Sequence, residues 1–222
     1  MAATHLEAGD PVGWFEPLYA AARRDPTAIP WAGPGPHPYL TAWLDAPVAS
    51  PPGRRAVVVG CGLGDDALAV ARHGFEVTAL DVAPSAIRWA RRRHRRSGIT
   101  WRTLDVLDPA ARVPLEGAFD LVVEVLTVPY LPGVVRDAAM HAVGALVAPG
   151  GVLVVVTVLS AGPERADGGS EPGDDGPPWP QAPSELAAYR SAGLVRLALE
   201  HPPSEPAAGV LPARLTFQRP RG

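Results

Sequence analysis

The chain contains no lysine: its 20 strongly basic residues are all arginine. A lysine base or Schiff-base former is therefore excluded from any chemistry it performs. There is one cysteine, Cys61, so an internal disulfide is excluded and nothing marks a disulfide-stapled secreted scaffold. No apolar run approaches membrane-spanning length. The opening residues, MAATHLEAGD, lack the basic and apolar regions of a secretory signal, and a soluble cytoplasmic protein is expected. A net charge of -3 and a pI near 6.1 supply no overall attraction to nucleic acid or an anionic membrane. The six histidines show no metal-ligand spacing, and no metal site is expected. What is present, 47% hydrophobic and 19% charged residues over 222 positions, suffices for a sizeable core, so one domain spanning residues 1–222 is expected.

The richest stretch is residues 55–81, RAVVVGCGLGDDALAVARHGFEVTALD. It reads as a buried strand, a glycine turn, a helix and a second strand ending in a carboxylate, the nucleotide-cradling half of a doubly wound α/β fold. Gly60, Gly62 and Gly64 allow a sharp turn and close approach of backbone to a ligand. Asp81 follows Gly60 by 21 positions, close to the spacing of about 20 that brings a carboxylate to a ribose diol. An adenosine-containing ligand is the expectation. The glycine pattern does not choose among such ligands: read from Gly60 its third small position is Asp65, and read from Gly62 it is Ala67. Asp65 and Asp66, at the start of the following helix, would repel a pyrophosphate and tolerate a cation. S-adenosylmethionine (SAM), with a sulfonium, an ammonium, a ribose diol and no phosphate, fits that loop better than NAD or FAD. Simple capping of the helix is the alternative job for the two aspartates.

Further strands are expected at residues 99–104, 119–125, 152–159, 194–200 and 210–217, with helices at 84–96, 134–147 and 183–192. These make a mostly parallel seven-stranded sheet with helices on both faces. Residues 12–24 and 39–44 read as helices outside that sheet, so residues 1–50 form an N-terminal helical cover over the crevice. Residues 160–183, crowded with Gly, Pro, Asp and Glu, read as a mobile loop. Arg88, Arg91, Arg92, Arg93, Arg95 and Arg96 fall along one helix and its end, where the dipole favours cations. A solvated helix face explains them; an RNA-directed enzyme is the alternative they raise.

VVVGCGLGDDA, ALDVAPSAI, FDLVVEV and APGGVLVVV resemble, in order and spacing, the successive motifs of class I SAM-dependent methyltransferases. More narrowly, FEPLY, IPW, LPGVVRDAA and DDGPPWP are similar to flanking motifs of the thiopurine methyltransferase group, which includes thiol and halide methyltransferases. The resemblance implies a Rossmann-like methyltransferase fold and SAM as cofactor. It places Gly60, Cys61, Gly62 and Gly64 against the methionine and ribose, Asp81 and Val82 at the ribose, and Asp105 and Val106 at the adenine edge. It puts Tyr19 and Trp31 over the cofactor and Glu124 near the methyl donor. Trp14, Tyr39, Tyr130 and Trp179 are the expected substrate contacts, Trp179 as a lid. The chain departs from the family where Val58 replaces a frequent acidic residue and Val125 replaces an arginine common in thiopurine-type enzymes.

A sulfonium-activated methyl group asks the protein mainly to align a nucleophile and keep water out. A thiol needs little further help, because a free pKa of about 8.5 leaves some thiolate at neutral pH. An oxygen or nitrogen nucleophile would more often want a general base, and His37, Tyr39, Glu124, Tyr130, Asp174 and Asp175 are the candidates, none singled out by spacing. The expected activity is methylation of a small molecule, at a thiol or other soft nucleophile. A nicotinamide-dependent oxidoreductase and a SAM-binding module without turnover are the competing readings.

Overall fold

In the computed structural model, residues 2–46, 53–161, 176–201 and 210–222 are described. Most of the loop expected at 160–183, with Asp174 and Asp175, lies outside them. The elements in chain order begin with α1 (Ala2–Glu7), α2 (Phe15–Ala21), α3 (Pro38–Leu44), β1 (Arg55–Val59), α4 (Asp65–Arg72), β2 (Glu76–Asp81) and α5 (Pro84–Arg93). They continue with β3 (Thr100–Thr103), α6 (Pro109–Arg112), β4 (Phe119–Val125), α7 (Gly133–Ala145), β5 (Val147–Ser160), α8 (Ala187–Ser191), β6 (Val195–Glu200) and β7 (Val210–Gln218).

The seven strands form one sheet in the order β3-β2-β1-β4-β5-β7-β6. The first five in that order are parallel, and β7 runs antiparallel to both β5 and β6. Helices cover both faces, as the near-continuous apolar runs of β1, β4 and β5 require. On one face Met140, Val143 and Leu146 pack with Tyr189, Leu215 and Phe217. On the other, Leu40, Trp43, Val70 and Ile87 lie against Val58, Val123 and Val154. The indole of Trp43 donates to Thr216 Oγ1 at 3.1 Å and ties α3 to β7. Strand order reverses between β1 and β4, which is where ligands enter sheets of this kind.

The sheet is the doubly wound, mostly parallel one that the apolar runs imply. Boundaries shift for local reasons. The helix expected over residues 12–24 is shortened to α2 because Arg23 and Arg24 adopt left-handed backbone, φ 47° and 71°. α5 stops at Arg93 rather than at residue 96. β5 begins at Val147, five residues before the expected start, and passes through Pro149 and Gly150 where its register with β4 shifts between Phe119 and Leu121.

Candidate functional site

A cavity of about 450 Å³ opens at the carboxyl ends of β1, β2 and β4. Its floor is the glycine turn: Gly60 and Gly62 have φ of 64° and 52°, left-handed values that glycine adopts without penalty. A Cβ at Gly60 would collide with the Thr127 side chain, so the turn packs directly on the chain leaving β4. A Cβ at Gly62 would sit 3.0 Å from the Tyr19 hydroxyl, placing the cover over the same turn. Residues 59–66, 80–82, 104–107, 125–127 and 31–38 provide most of the wall.

Asp81 ends β2 facing this space. It is 7% exposed; Oδ2 accepts from the Gly62 N–H at 2.8 Å and Oδ1 from the Ala83 N–H at 2.9 Å. Burial outweighs these bonds and pushes its pKa up to about 6. Cys61 is buried in the turn and its thiol is held well above its ordinary pKa, chiefly by desolvation, which makes it a packing residue and no nucleophile. The two aspartates that open α4 do different things, and neither caps it: Gly64 occupies the N-cap position with no side-chain bond. Asp65 pairs with Arg93 through both oxygens at 2.9 and 3.1 Å. Asp66 Oδ1 accepts the His37 backbone N–H at 2.7 Å, linking α4 to the cover, and burial raises its pKa to about 6. Asp105 accepts the Leu107 N–H at 2.8 Å and lines the cavity with Val106.

The cover is aromatic. Trp31 is its hub, 4.8 Å from the Tyr130 ring and 5.9 Å from the rings of Trp14, Phe15 and Tyr19. Its indole N–H donates to the Tyr19 hydroxyl at 2.8 Å. Glu16 clasps α2 to the first turn of α5: its carboxylate accepts the Ser85 N–H at 2.8 Å and the Ser85 hydroxyl at 2.7 Å.

Of the residues singled out in the sequence, Tyr19, Trp31, Gly60, Cys61, Gly62, Gly64, Asp81, Val82, Asp105, Val106 and Tyr130 line one cavity. Trp14, Tyr39, Glu124 and Trp179 do not. Trp14 is buried behind the wall, stacked on Phe15. Tyr39 lies in the first turn of α3, its ring against His37 and its carbonyl accepting from Arg214 Nη1 at 2.8 Å. Glu124 is fully buried and turns inward, where Oε1 accepts the backbone N–H groups of Thr127 and Val128 and Oε2 faces the Tyr189 hydroxyl at 3.5 Å. It shapes the turn that borders the cavity and does not line the cavity itself. Trp179 is 5% exposed and anchored through its main chain, the backbone N–H donating to the Pro129 carbonyl at 2.8 Å and the backbone carbonyl accepting from Arg136 Nη2 at 2.9 Å. It is a brace for the Val128–Tyr130 turn, not a lid.

Phe15, Leu126 and Thr127 are wall residues that sequence reasoning did not assign to the site, while Asp66, expected to set the charge of the ligand loop, is on the wall as well. Leu126 has φ 53°, a strained value for a branched side chain at the strand end. The position just after the fourth strand was the available signal.

The sheet order and the crevice at its switch point define a Rossmann-like methyltransferase fold. More particularly, residues 56–151 match the family described as "Methyltransferase domain". The chain is 37% identical over 109 residues, 48% of its length, to a ubiquinone biosynthesis O-methyltransferase of Xanthomonas campestris pv. campestris. It is 36% identical over 123 residues, 55% of its length, to an uncharacterised methyltransferase of Mycobacterium bovis. It spans 44% and 59% of those two proteins. A solved structure described as "Conversion of a Disulfide Bond into a Thioacetal Group during Echinomycin Biosynthesis" superimposes with TM-score 0.68 at 24% identity, covering 92% of this chain and 91% of that one. The [4+2]-cyclase SpnF gives 0.65 at 21% identity, with 83% and 81% covered. Magnesium protoporphyrin IX methyltransferase of Synechocystis PCC 6803, with bound SAM, gives 0.59 at 17% identity, with 82% and 76% covered. No helix among the described residues is long and apolar enough to cross a membrane.

Proposed function

We propose that this protein moves a methyl group from SAM to a small-molecule acceptor, with a thiol or another soft nucleophile as the acceptor atom. The observation that carries the cofactor is the buried Asp81 carboxylate beside a left-handed glycine turn, at the point where strand order reverses. Asp81 would hold the ribose hydroxyls, residues 60–64 the methionine portion, and Asp105 with Val106 the adenine edge. Tyr19 and Trp31 would close over them. SAM, when bound, supplies a methyl group already activated by its sulfonium. The chain's task is alignment and exclusion of water, to which the aromatic cover is suited. We read residues 1–222 as one working domain, with the N-terminal helices as its cover.

The soft-nucleophile reading rests on how the wall's candidate bases are already used: Asp81 is assigned to the ribose, and Asp66 accepts the His37 backbone N–H. His37 Nδ1 is taken up by the Tyr39 N–H at 3.2 Å, and desolvation lowers its pKa. Burial raises the pKa of Tyr130, which keeps it a donor. A thiolate needs neither. The similarity to a protein that acts on a disulfide in echinomycin biosynthesis is consistent with chemistry at sulfur. A second reading, methylation at oxygen, is favoured by the 37% identity to ubiquinone biosynthesis O-methyltransferase. Incubation with methyl-labelled SAM and matched panels of small thiols, phenols and amines tests this. Label in thiol products first supports the proposal, label confined to phenols selects the second reading, and SAM binding without any transfer would sink both.

A further inference from the structure

Acidic groups are distributed unevenly round the cavity. Asp66, Asp81 and Asp105 lie on the side made by the strand ends, while the cover and the turn after β4 contribute Phe15, Trp31, Tyr130 and Leu131, with Tyr19, His37 and Thr127 as their polar members. The chain carries 20 arginines, yet none lines this cavity among the described residues. An anion entering here would meet the negative faces of aromatic rings and a set of carboxylates, with no cation to pair with.

Tyr19 and Tyr130 bring hydroxyls to the aromatic side. The Tyr19 oxygen accepts the Trp31 indole N–H. Tyr130 is 8% exposed, its ring packs at 65° on Trp31, and its hydroxyl has no hydrogen-bond partner among the described residues. A hydroxyl on a cavity wall that bonds no protein group is free to donate to a bound molecule.

We propose that the acceptor is a mainly apolar molecule without negative charge, seated between Phe15, Trp31 and Tyr130, and that the Tyr130 hydroxyl donates a hydrogen bond to it. This rests on the methyltransferase reading and narrows its substrate class. It makes Tyr130 a specificity residue that touches the acceptor and leaves the cofactor alone.

The test uses aryl thiols and phenols prepared in pairs, as methyl esters and as free carboxylates, titrated into the full-length protein saturated with S-adenosylhomocysteine and followed by tryptophan fluorescence. Each pair is then assayed for methylation with SAM. The esters are expected to bind at least about tenfold more tightly than the carboxylates. In Tyr130→Phe, ester affinity should fall roughly five- to fiftyfold, the range for one lost hydrogen bond to a buried group. Its SAM affinity should stay within about twofold of wild type, and its thermal midpoint shows whether the fold is intact. Carboxylates that bind as well as esters, failure of both to bind, or undiminished ester binding in an intact Tyr130→Phe would each overturn this proposal. Ester binding without any methylation would instead overturn the functional reading and leave the chamber's charge preference standing.

Discussion

Both oxygens of Asp81 already accept backbone N–H groups, so a ribose diol would use the lone pairs that remain. Asp81→Ala should weaken SAM binding by roughly tenfold to a hundredfold, as expected for losing charge-assisted hydrogen bonds of about 1.5–3 kcal/mol; unchanged affinity by calorimetry would remove Asp81 from the site. Its raised pKa, about 6, adds a pH dependence. If the ionised carboxylate binds the diol, affinity is full well above pH 6 and falls as protonation proceeds, by about tenfold one unit below the pKa. Asp81→Asn should flatten that profile. Glu124 gives a stability prediction of defined sign. Burial holds its pKa at about 7 against an ordinary 4.5, so the folded state keeps a proton that the unfolded state has released. Its contribution is present below pH 4.5 and lost as pH rises to 7. Glu124→Gln keeps an oxygen for the Thr127 and Val128 N–H groups, and the variant's stability, measured by denaturant titration, should no longer fall across that window. A parallel decline in both proteins would refute the assignment.

At the scale of elements, the cover depends on a small polar clasp. Glu16 on α2 binds the exposed first turn of α5, where the helix dipole favours a carboxylate, and Arg88 lies 3.5 Å from the same group. The Arg88 pair is largely solvent-exposed and contributes little; the bonds to Ser85 are the ones that orient α2. Glu16→Ala should raise the dissociation constant for SAM several-fold and speed proteolysis within residues 15–38, with little change at Asp81. Equal protease sensitivity with and without the substitution would show that the aromatic contacts suffice alone. The central strands and the glycine turn could be read from sequence because their signals are local: β-branched runs, glycines and a carboxylate at fixed spacing. The clasp could not, since Glu16 and Ser85 are 69 positions apart. The same applies to Glu124, whose inward turn toward Tyr189 joins residues 65 apart, and to Trp179, held by Arg136 across 43. A tryptophan beside a glycine-rich stretch reads the same in sequence whether it swings or braces; only the buried arginine decides.

Over the whole molecule, sheet order fixes where chemistry occurs but not which reaction is performed, and a similar fold also serves a [4+2]-cyclase. The proposed acceptor site is a wall assembled from the cover, the turn after β4 and the glycine turn, which no single motif encodes. Cys61, the lone thiol in 222 residues, sits in the bend that the cofactor would cover. Alkylation therefore labels each copy at one place, slowly, because the sulfur is shielded and reluctant to ionise. Adding S-adenosylhomocysteine should slow the labelling further, so mass spectrometry of the intact protein can count occupied crevices without an engineered probe.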